Sequence, residues 1–259
     1  MKDFTYDIER GQTPYILSAV IGADSFFYGL FDKDYDLYSC VYLEDVVFDS
    51  HFAEQMRTSL TPYRDVKHVV SFSTKPFLHV PVSEEDIAKF YPAFDDKSIN
   101  AEKFTATDIK VIYGLSDDQV SFVEQVFSNA NYHHLSTVLN NVSYPSRKDK
   151  LLLHVEHNRA HILCSDTDKL RYYNQFECHT REDYLYFTLM AYDVLGLDPQ
   201  TVPLEVSGRV EESSAIHDLL LGYVNHIQFS DSKHFKVADL RFRKSKHYYY
   251  DLYSTAICG

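Results

Sequence analysis

The chain has 259 residues, of which 45% are hydrophobic and 24% are charged, which is the balance of a globular protein with a sizeable core. Its formal net charge of −13 disfavours general binding to nucleic acid and to anionic membrane surfaces, because both carry negative charge. No apolar run approaches the roughly 20 residues of a membrane-spanning helix, and the N-terminus lacks the pattern of a secretory signal. We therefore predict a soluble, cytoplasmic protein whose four widely spaced cysteines are free thiols.

The first predicted element is a meander of three short strands. Its apolar stretches are separated by turns rich in Gly, Asp and Ser, and they lie at 15–21, 26–31 and 37–43. Apolar residues at helical spacing then predict a helix from Val46 to Ser59, and a further strand follows from Val66 to Phe72. A strand, a crossover helix and a second strand favour parallel pairing.

The middle of the chain predicts a second group of elements. In order, they are a helix from Glu84 to Phe90, a strand from Phe104 to Gly114, a helix from Ser116 to Phe127 and a strand from Tyr132 to Val138. The polar stretch Asn140–Lys150, which contains Pro145, is the best candidate for a linker. It divides the chain into an N-terminal half, 1–145, and a C-terminal half, 146–259.

The C-terminal half repeats the pattern of the first. Three further apolar stretches separated by turns lie at 151–155, 160–164 and 170–176. Thr180 and Asp183 then form a capping-box pattern before a helix that ends at Gly196, and a strand follows from Val202 to Val206. When Val155 is aligned with Ile21, the strands and turns of the two halves coincide, although few of the aligned residues are identical.

Three segments of this sequence look like nucleotide-binding motifs. Val-Ile-Gly-Ala-Asp-Ser at 20–25 looks like a first phosphate loop, and His-Val-Glu-His-Asn at 154–158 lies at the place of a second one. Leu-Glu-Val-Ser-Gly-Arg at 204–209 looks like an adenosine motif, and 253–259 is similar to the small-residue helix that closes the same fold. Over nearly its full length the chain thus resembles the superfamily of actin, sugar kinases and heat-shock ATPases, and most closely an uncharacterised bacterial family of actin-like fold.

This resemblance implies an α/β protein with a duplicated actin-like (ribonuclease H-like) fold, in which each half has a mixed sheet flanked by helices. The implied nucleotide-handling residues, however, have changed. Val20 stands where the first loop carries a carboxylate, while His154 and Glu156 replace the acid and the glycine of the second loop. Arg209 replaces the second glycine of the adenosine motif and would intrude where the adenosine lies. We therefore expect neither ATP nor Mg²⁺ as a cofactor and no catalytic residues for ATP hydrolysis.

The resemblance also defines a candidate cleft between the halves. Asp24 lies four residues after the lost carboxylate, and Arg209 could pair with a phosphate in an altered anion site, which leaves weak nucleotide binding or a kinase-like activity as the alternative function. The candidate cleft residues are Gly22, Asp24, Ser25, Ser207, Gly208 and Arg209.

A basic, tyrosine-rich segment is the most distinctive candidate surface. Basic residues interleaved with aromatic ones can bind an acidic protein partner or single-stranded nucleic acid. Because the chain is acidic overall, a protein partner is favoured over RNA, and pairing with acidic neighbours is the structural alternative. The candidate partner-binding residues are Arg241, Arg243, Lys244, Lys246 and Tyr248.

The clustered histidines do not predict a metal site. His154, His157 and His161 lie on a strand–turn–strand, where 154 and 157 point to opposite faces, and the adjacent His133 and His134 point apart as well. The sequence as a whole therefore predicts a non-catalytic binding or assembly protein on a degenerate actin-like scaffold, with an unknown protein partner.

Overall fold

The computed structural model describes residues 14–94, 98–104, 107–127, 129–143, 150–165, 170–231, 236–237 and 245–259. The helices in these ranges are α1 (Ser50–Leu60), α2 (Asp117–Val126), α3 (Leu135–Ser143), α4 (Arg181–Leu195), α5 (Ala215–Leu221) and α6 (Tyr250–Cys258). The strands are β1 (Ile16–Ile21), β2 (Ser25–Phe31), β3 (Asp36–Glu44), β4 (Lys67–Phe72), β5 (Phe77–Pro81), β6 (Ser98–Lys103), β7 (Ile109–Leu115), β8 (Asn131–His134), β9 (Leu151–Glu156), β10 (Arg159–Ser165), β11 (Leu170–Glu177), β12 (Leu204–Gly208), β13 (Ile227–Phe229) and β14 (Lys236–Val237).

The chain forms a mixed α/β fold in two compact units. The first unit contains the described residues up to Asn141, together with β14 and Leu252–Gly259. The second contains the described residues from Val142 to Asp231 and from Ser245 to Asp251. None of the helices in the described ranges combines the length and the apolar character that crossing a bilayer requires.

The first unit is built on a six-stranded mixed sheet in the order β14-β3-β2-β1-β4-β8. Strand β1 pairs antiparallel with β2 and parallel with β4, which is the arrangement that the strand–helix–strand pattern predicts. All six residues of β1 are buried because neighbouring strands cover both of its edges and side chains cover both of its faces. The predicted meander is confirmed in this unit.

A cluster of phenylalanines packs the helices of the first unit against this sheet. Phe52 on α1 stacks on Phe122 of α2, with ring centroids 5.4 Å apart and planes 14° from parallel. Phe26 on β2 meets the same ring edge-on at 5.5 Å, and Phe48 does so at 5.1 Å. These edge-to-face and offset contacts explain how a chain without tryptophan fills a large core.

Three of the predicted elements in the middle of the chain are wrong in type or extent. The strand expected from Tyr132 to Val138 ends at His134, and α3 follows at once. Leu135, Val138 and Leu139 are fully buried at helical spacing, a pattern that outweighs their β propensity. The expected helix from Glu84 to Phe90 is a 3₁₀ helix from Ile87 to Phe94 with Pro92 inside it, because proline removes an amide donor.

The strand expected from Phe104 to Gly114 is shortened to β7, which forms a separate three-stranded sheet in the order β5-β7-β6. The preceding turn explains the shift, since Phe104 donates its amide to the carbonyl of Ile109. Val80, Phe94 and Ile112 form a small hydrophobic core for this sheet.

The second unit repeats the topology of the first with a five-stranded sheet in the order β11-β10-β9-β12-β13. Strand β9 pairs antiparallel with β10 and parallel with β12, just as β1 pairs with β2 and β4. Helix α4 begins at the predicted capping box of Thr180 and Asp183 and ends at Gly196, which adopts the left-handed conformation with φ of 65°. The two halves therefore share a strand plan, as the repeat in the sequence predicts.

We expect His79 on β5 to make the first unit sensitive to acid. Burial lowers the pKa of His79 from 6.5 to about 4. As the pH falls from 6.5 towards 4, the unfolded chain takes up a proton that folded His79 refuses, so the free energy of unfolding decreases. In His79→Gln this decrease should be less steep, as measured by urea unfolding at a series of pH values.

The matched control is His51→Gln, because His51 is exposed on α1. The free energy of unfolding of the His51→Gln variant should change with pH as that of the wild type does. Equal slopes for the His79→Gln variant and the wild type would contradict the assignment.

Candidate functional site

The first predicted loop is a tight turn between β1 and β2. The amide of Gly22 donates to the carbonyl of Ser25 at 2.9 Å, and the carbonyl of Asp24 accepts from the amide of Val46 at 2.8 Å. The side chain of Gln119, at the start of α2, donates to the carbonyl of Gly22 at 3.1 Å. The structure therefore brings Gly22, Asp24 and Ser25 together in the first unit.

A recess of about 410 Å³ lies beside this turn, within the first unit. Its charged groups are one cation, Lys75, and one anion, Asp118. Helix α2 begins here, with its first amides capped by Ser116 and two aspartates in its first turn. This negative charge complements the helix dipole and reduces the attraction that the helix start would offer to a phosphate. The recess is lined by Ala23, Val46, Val47, Phe48, Thr74, Lys75, Ser116, Asp118 and Gln119.

The other three candidate cleft residues lie in the second unit, where β12 ends. Gly208 has a φ of 83°, and a Cβ built on it would lie 2.1 Å from the carbonyl oxygen of Val155 on the neighbouring strand β9. The amide of Arg209 donates to that same carbonyl at 2.7 Å. Gly208 is thus required by the close approach of two strands within the unit. That the two sets of residues face one cleft stays a prediction.

Arg209 is held inside the second unit by a buried ion pair. Its Nη1 atom donates to Oδ2 of Asp251 at 2.7 Å, and the two side chains are 6% and 0% exposed. The same nitrogen donates to the carbonyl of Tyr248 at 3.2 Å, and the guanidinium lies 5.5 Å from the Tyr248 ring centroid. The aromatic face adds a cation–π contact to the pair.

His154 joins this pair to the end of β12. Its Nδ1 atom lies 2.9 Å from Oγ of Ser207, while its Nε2 atom lies 3.6 Å from Oδ2 of Asp251. We call Arg209, Asp251, His154 and Ser207 the buried charge network. Burial raises the pKa of the Asp251 carboxyl, but the Arg209 guanidinium and the His154 ring outweigh it and lower that pKa to about 2. Asp251 is therefore ionised at neutral pH.

A second buried cluster adjoins this network. Nε2 of His161 lies 2.9 Å from Oε2 of Glu156, and its Nδ1 atom lies 2.8 Å from the Tyr173 hydroxyl. Burial lowers the pKa of His161 more than Glu156 raises it. His154 and His161 are cross-strand partners with ring centroids 5.7 Å apart.

His157, His133 and His134 also bond other residues of the protein. His157 lies in the turn with φ of 40°, and its carbonyl accepts the Tyr184 hydroxyl. His133 bonds Glu102, and the neighbouring His134 bonds Ser136. Across the described ranges, no group of three potential ligands is placed to hold a metal ion.

Part of the predicted basic segment lies outside the described residues, namely Arg241, Arg243 and Lys244. Lys246 pairs with Asp231 at 3.2 Å, and the ring of Tyr248 packs against Arg209. Both described members thus have neighbours within the second unit. A smaller recess of about 280 Å³ beside them is lined by Glu212, Phe229, Ser230, Asp231, Ser245, Lys246 and His247.

Comparison with protein families gives one match, which covers residues 5–227 and is described as a protein of unknown function, DUF3822. The chain belongs to this family. The comparison with curated proteins gives no match for this DUF3822 chain.

Among solved structures, the DUF3822 chain is similar to a Bacteroides thetaiotaomicron protein with an actin-like ATPase fold and unknown function. The TM-score is 0.69 at 16% identity, over 87% of this chain and 94% of that one. The PilM–PilN type IV pilus biogenesis complex gives a TM-score of 0.61 at 11% identity, over 94% of this chain and 98% of that one. The cytoplasmic domain of EpsL, an inner-membrane component of the type II secretion system of Vibrio cholerae, gives 0.52 at 10% identity, over 94% and 95%. These likenesses confirm the predicted actin-like fold.

Sequence reasoning missed Asp251, the residue that neutralises Arg209. The available signal was its position, since Asp251 lies between Tyr250 and Leu252 at the start of a helix made mostly of apolar and small residues. A carboxylate in such surroundings needs a cationic partner. The sequence does not show which cationic residue pairs with Asp251, because Arg209 is 42 residues away.

We expect Gly208→Ala to destabilise the protein by about 3 kcal/mol or more, because it combines a strained φ with a backbone collision. The control is Gly196→Ala, where φ is also positive but no atom lies within 4 Å of the added Cβ. The free energy of unfolding of the Gly196→Ala variant should decrease by only about 1 kcal/mol. Chemical unfolding measures both, and equal losses would contradict the close approach.

Asp251→Asn should cost about 3–5 kcal/mol, because it leaves the Arg209 charge buried without its counterion. Asp231→Asn, which breaks the exposed pair with Lys246, should cost less than about 1 kcal/mol. The double variant Arg209→Met/Asp251→Leu should be more stable than Asp251→Asn, since it removes both charges. Chemical unfolding at neutral pH tests all three, and a double variant no more stable than Asp251→Asn would contradict the ion-pair account.

The ion pair between Arg209 and Asp251 should also make the free energy of unfolding depend on pH. Because folding lowers the pKa of Asp251 from 3.8 to about 2, its contribution is present above pH 3.8 and is lost as the pH falls towards 2. Between pH 3.8 and 2, the free energy of unfolding should fall less steeply with pH in Asp251→Asn than in the wild type, as measured by chemical unfolding at a series of pH values.

Proposed function

We propose that this protein is a non-catalytic binding or assembly protein, for which the actin-like fold is a scaffold and not an ATPase. The buried charge network carries this proposal. In the motif that resembles an adenosine site, Arg209 bonds Asp251 and Ser207 bonds His154. Side chains of the chain itself thus bond two of the residues that a nucleotide would have to meet there.

The two segments that resemble phosphate loops support the same proposal. Val20, at the place of the first carboxylate, is 2% exposed between Phe27 and Ser71 on the adjacent strands. His154, at the place of the second, is fully buried. Neither side chain can hold Mg²⁺ through water as a carboxylate does, so phosphoryl transfer lacks its metal.

A protein partner in the cytoplasm is part of this proposal. Two of the similar structures belong to proteins described as parts of larger assemblies, the PilM–PilN complex and the EpsL domain of a secretion system. A fold that serves as a scaffold in assemblies is consistent with a role that does not depend on turnover. Neither nucleic acid nor membrane is proposed as a partner.

Residual nucleotide binding at the first loop is the alternative. The recess beside Gly22–Ser25 favours it, because about 410 Å³ with Lys75 on its wall could admit a small anion. The acidic first turn of α2 weighs against it.

The deciding experiment is a thermal-shift titration with ATP, ADP and GTP, with and without Mg²⁺. A ligand at 100 times its dissociation constant stabilises a folded protein by about 2.7 kcal/mol, which moves the melting temperature by several degrees. We expect no shift with any nucleotide. A Mg²⁺-dependent shift that disappears in Asp24→Asn would overturn the proposal and establish the alternative.

A further inference from the structure

The recess beside the turn between β1 and β2 combines an apolar wall with negative charge. Val46, Val47 and Phe48 line it, and Asp118, in the first turn of α2, is its anion. The lining residues and their neighbours within two positions along the chain contribute one base, Lys75, and several acids, which are Asp24, Glu44, Asp45, Asp49, Asp117 and Asp118. The electrostatic field at the recess is therefore negative, which repels phosphate groups and attracts cations.

Val47 gives this recess an apolar contact at the protein surface. It is 71% exposed, more than any other large hydrophobic residue that the structure describes. The next residue, Phe48, is 7% exposed, and its ring meets those of Phe52 and Phe122 edge-on at 5.8 and 5.1 Å. Because Phe48 anchors the loop, Val47 is held at the surface beside the recess. A ligand that covers Val47 would bury apolar surface, which stabilises a complex.

A hydroxyl group on the wall of the recess lacks a partner. Thr74 lines the recess and is 4% exposed, and among the described residues its Oγ1 atom has no hydrogen-bond partner. The polar side chains of Ser116 and Gln119, which line the same recess, are by contrast bonded in the capping box of α2. A buried hydroxyl without a partner costs free energy, which a hydrogen bond from a ligand would recover.

We propose that this recess binds an arginine side chain of the protein partner, with the guanidinium group at Asp118 and the aliphatic stem along Val47. The inference rests on the proposed function, because it names the chemistry of the partner that the proposed function requires. The recess volume of about 410 Å³ lies within the roughly 300–1,000 Å³ of small-ligand sites, so it has room for one long side chain.

An arginine matches both properties of the recess. Its stem is apolar and packs along hydrophobic surface, while its charged head stays near water and counterions. Its planar fork donates two N–H groups to one carboxylate, which a lysine cannot do, and further N–H groups remain for the hydroxyl of Thr74. A nucleotide, the alternative ligand, would bring more negative charge into an acidic field.

The first test is an NMR titration of the isotope-labelled full chain with the acetylated and amidated tripeptide Leu-Arg-Leu. The matched peptide carries citrulline, which has the shape of arginine without its charge. We expect the amide signals of Ala23, Val47 and Gln119 to shift with the arginine peptide. The citrulline peptide should bind about tenfold more weakly, because it lacks the charge that Asp118 attracts.

Substitutions locate the binding. Asp118→Asn should weaken the arginine peptide about tenfold, whereas Asp65→Asn, which removes an equal charge from an exposed residue outside the lining, should leave its affinity unchanged. Thr74→Val keeps the shape of the side chain and should also weaken binding. Val47→Ser should weaken the arginine and citrulline peptides by the same factor, since it removes an apolar contact that both peptides make.

The outcomes separate this inference from the proposed function. Equal affinity for the two peptides, or amide signals that do not move, would overturn the arginine site, while a negative nucleotide titration leaves the proposed function standing. A Mg²⁺-dependent shift with a nucleotide would overturn both. Butylguanidinium that binds as tightly as the arginine peptide would assign the recess to a small organic cation and overturn the part of the inference that concerns a protein partner.

Discussion

The interior of the second unit depends on the ion pair between Arg209 and Asp251. An arginine that is 6% exposed is stable only with a counterion, and Asp251 is the carboxylate that supplies it. Several other features follow from this need. Gly208 must let the chain turn against Val155 so that Arg209 points inward, and His154 fills the remaining space beside the carboxylate. One charge at the end of a strand thus determines the surrounding packing.

The two units show how one strand plan accommodates different interiors. The position held by Val20 in the first unit is held by His154 in the second, and that of Gly22 by Glu156. The first unit packs phenylalanine rings against its sheet, whereas the second bonds the ring of His154 to Ser207 and the ring of His161 to Glu156. By the resemblance to phosphate loops, neither unit has the acid, and only the first has the glycine, which is Gly22. In the second unit, the residues at the motif positions of the acid and the glycine, His154 and Glu156, are residues that bond within the core.

Much of the fold was predictable because its signals are local. Alternating apolar runs between Gly, Asp and Ser turns gave both meanders, and Thr180, Asp183 and Gly196 marked the limits of α4. Strands β5 and β6 of the small sheet were not predicted, because one residue of β5 and none of β6 is buried, which leaves a weak apolar pattern. At the candidate site, the motif predicted that Arg209 follows a strand, and β12 ends at Gly208. Its partner was not predicted, because an ion pair across 42 residues leaves no periodic trace.

The first two residues of helix α6, Tyr250 and Asp251, belong to the second unit, and its residues from Leu252 onwards belong to the first. The carbonyl of Leu252 accepts the hydroxyl of Ser18, which lies 234 residues earlier in β1, and Thr255 meets Ser71 of β4 at 2.8 Å. During synthesis on the ribosome, β1 thus waits for a residue 234 positions later before this hydrogen bond can form. The first unit therefore begins to be translated before the second, but it completes its hydrogen bonds only after the strands of the second unit have been made.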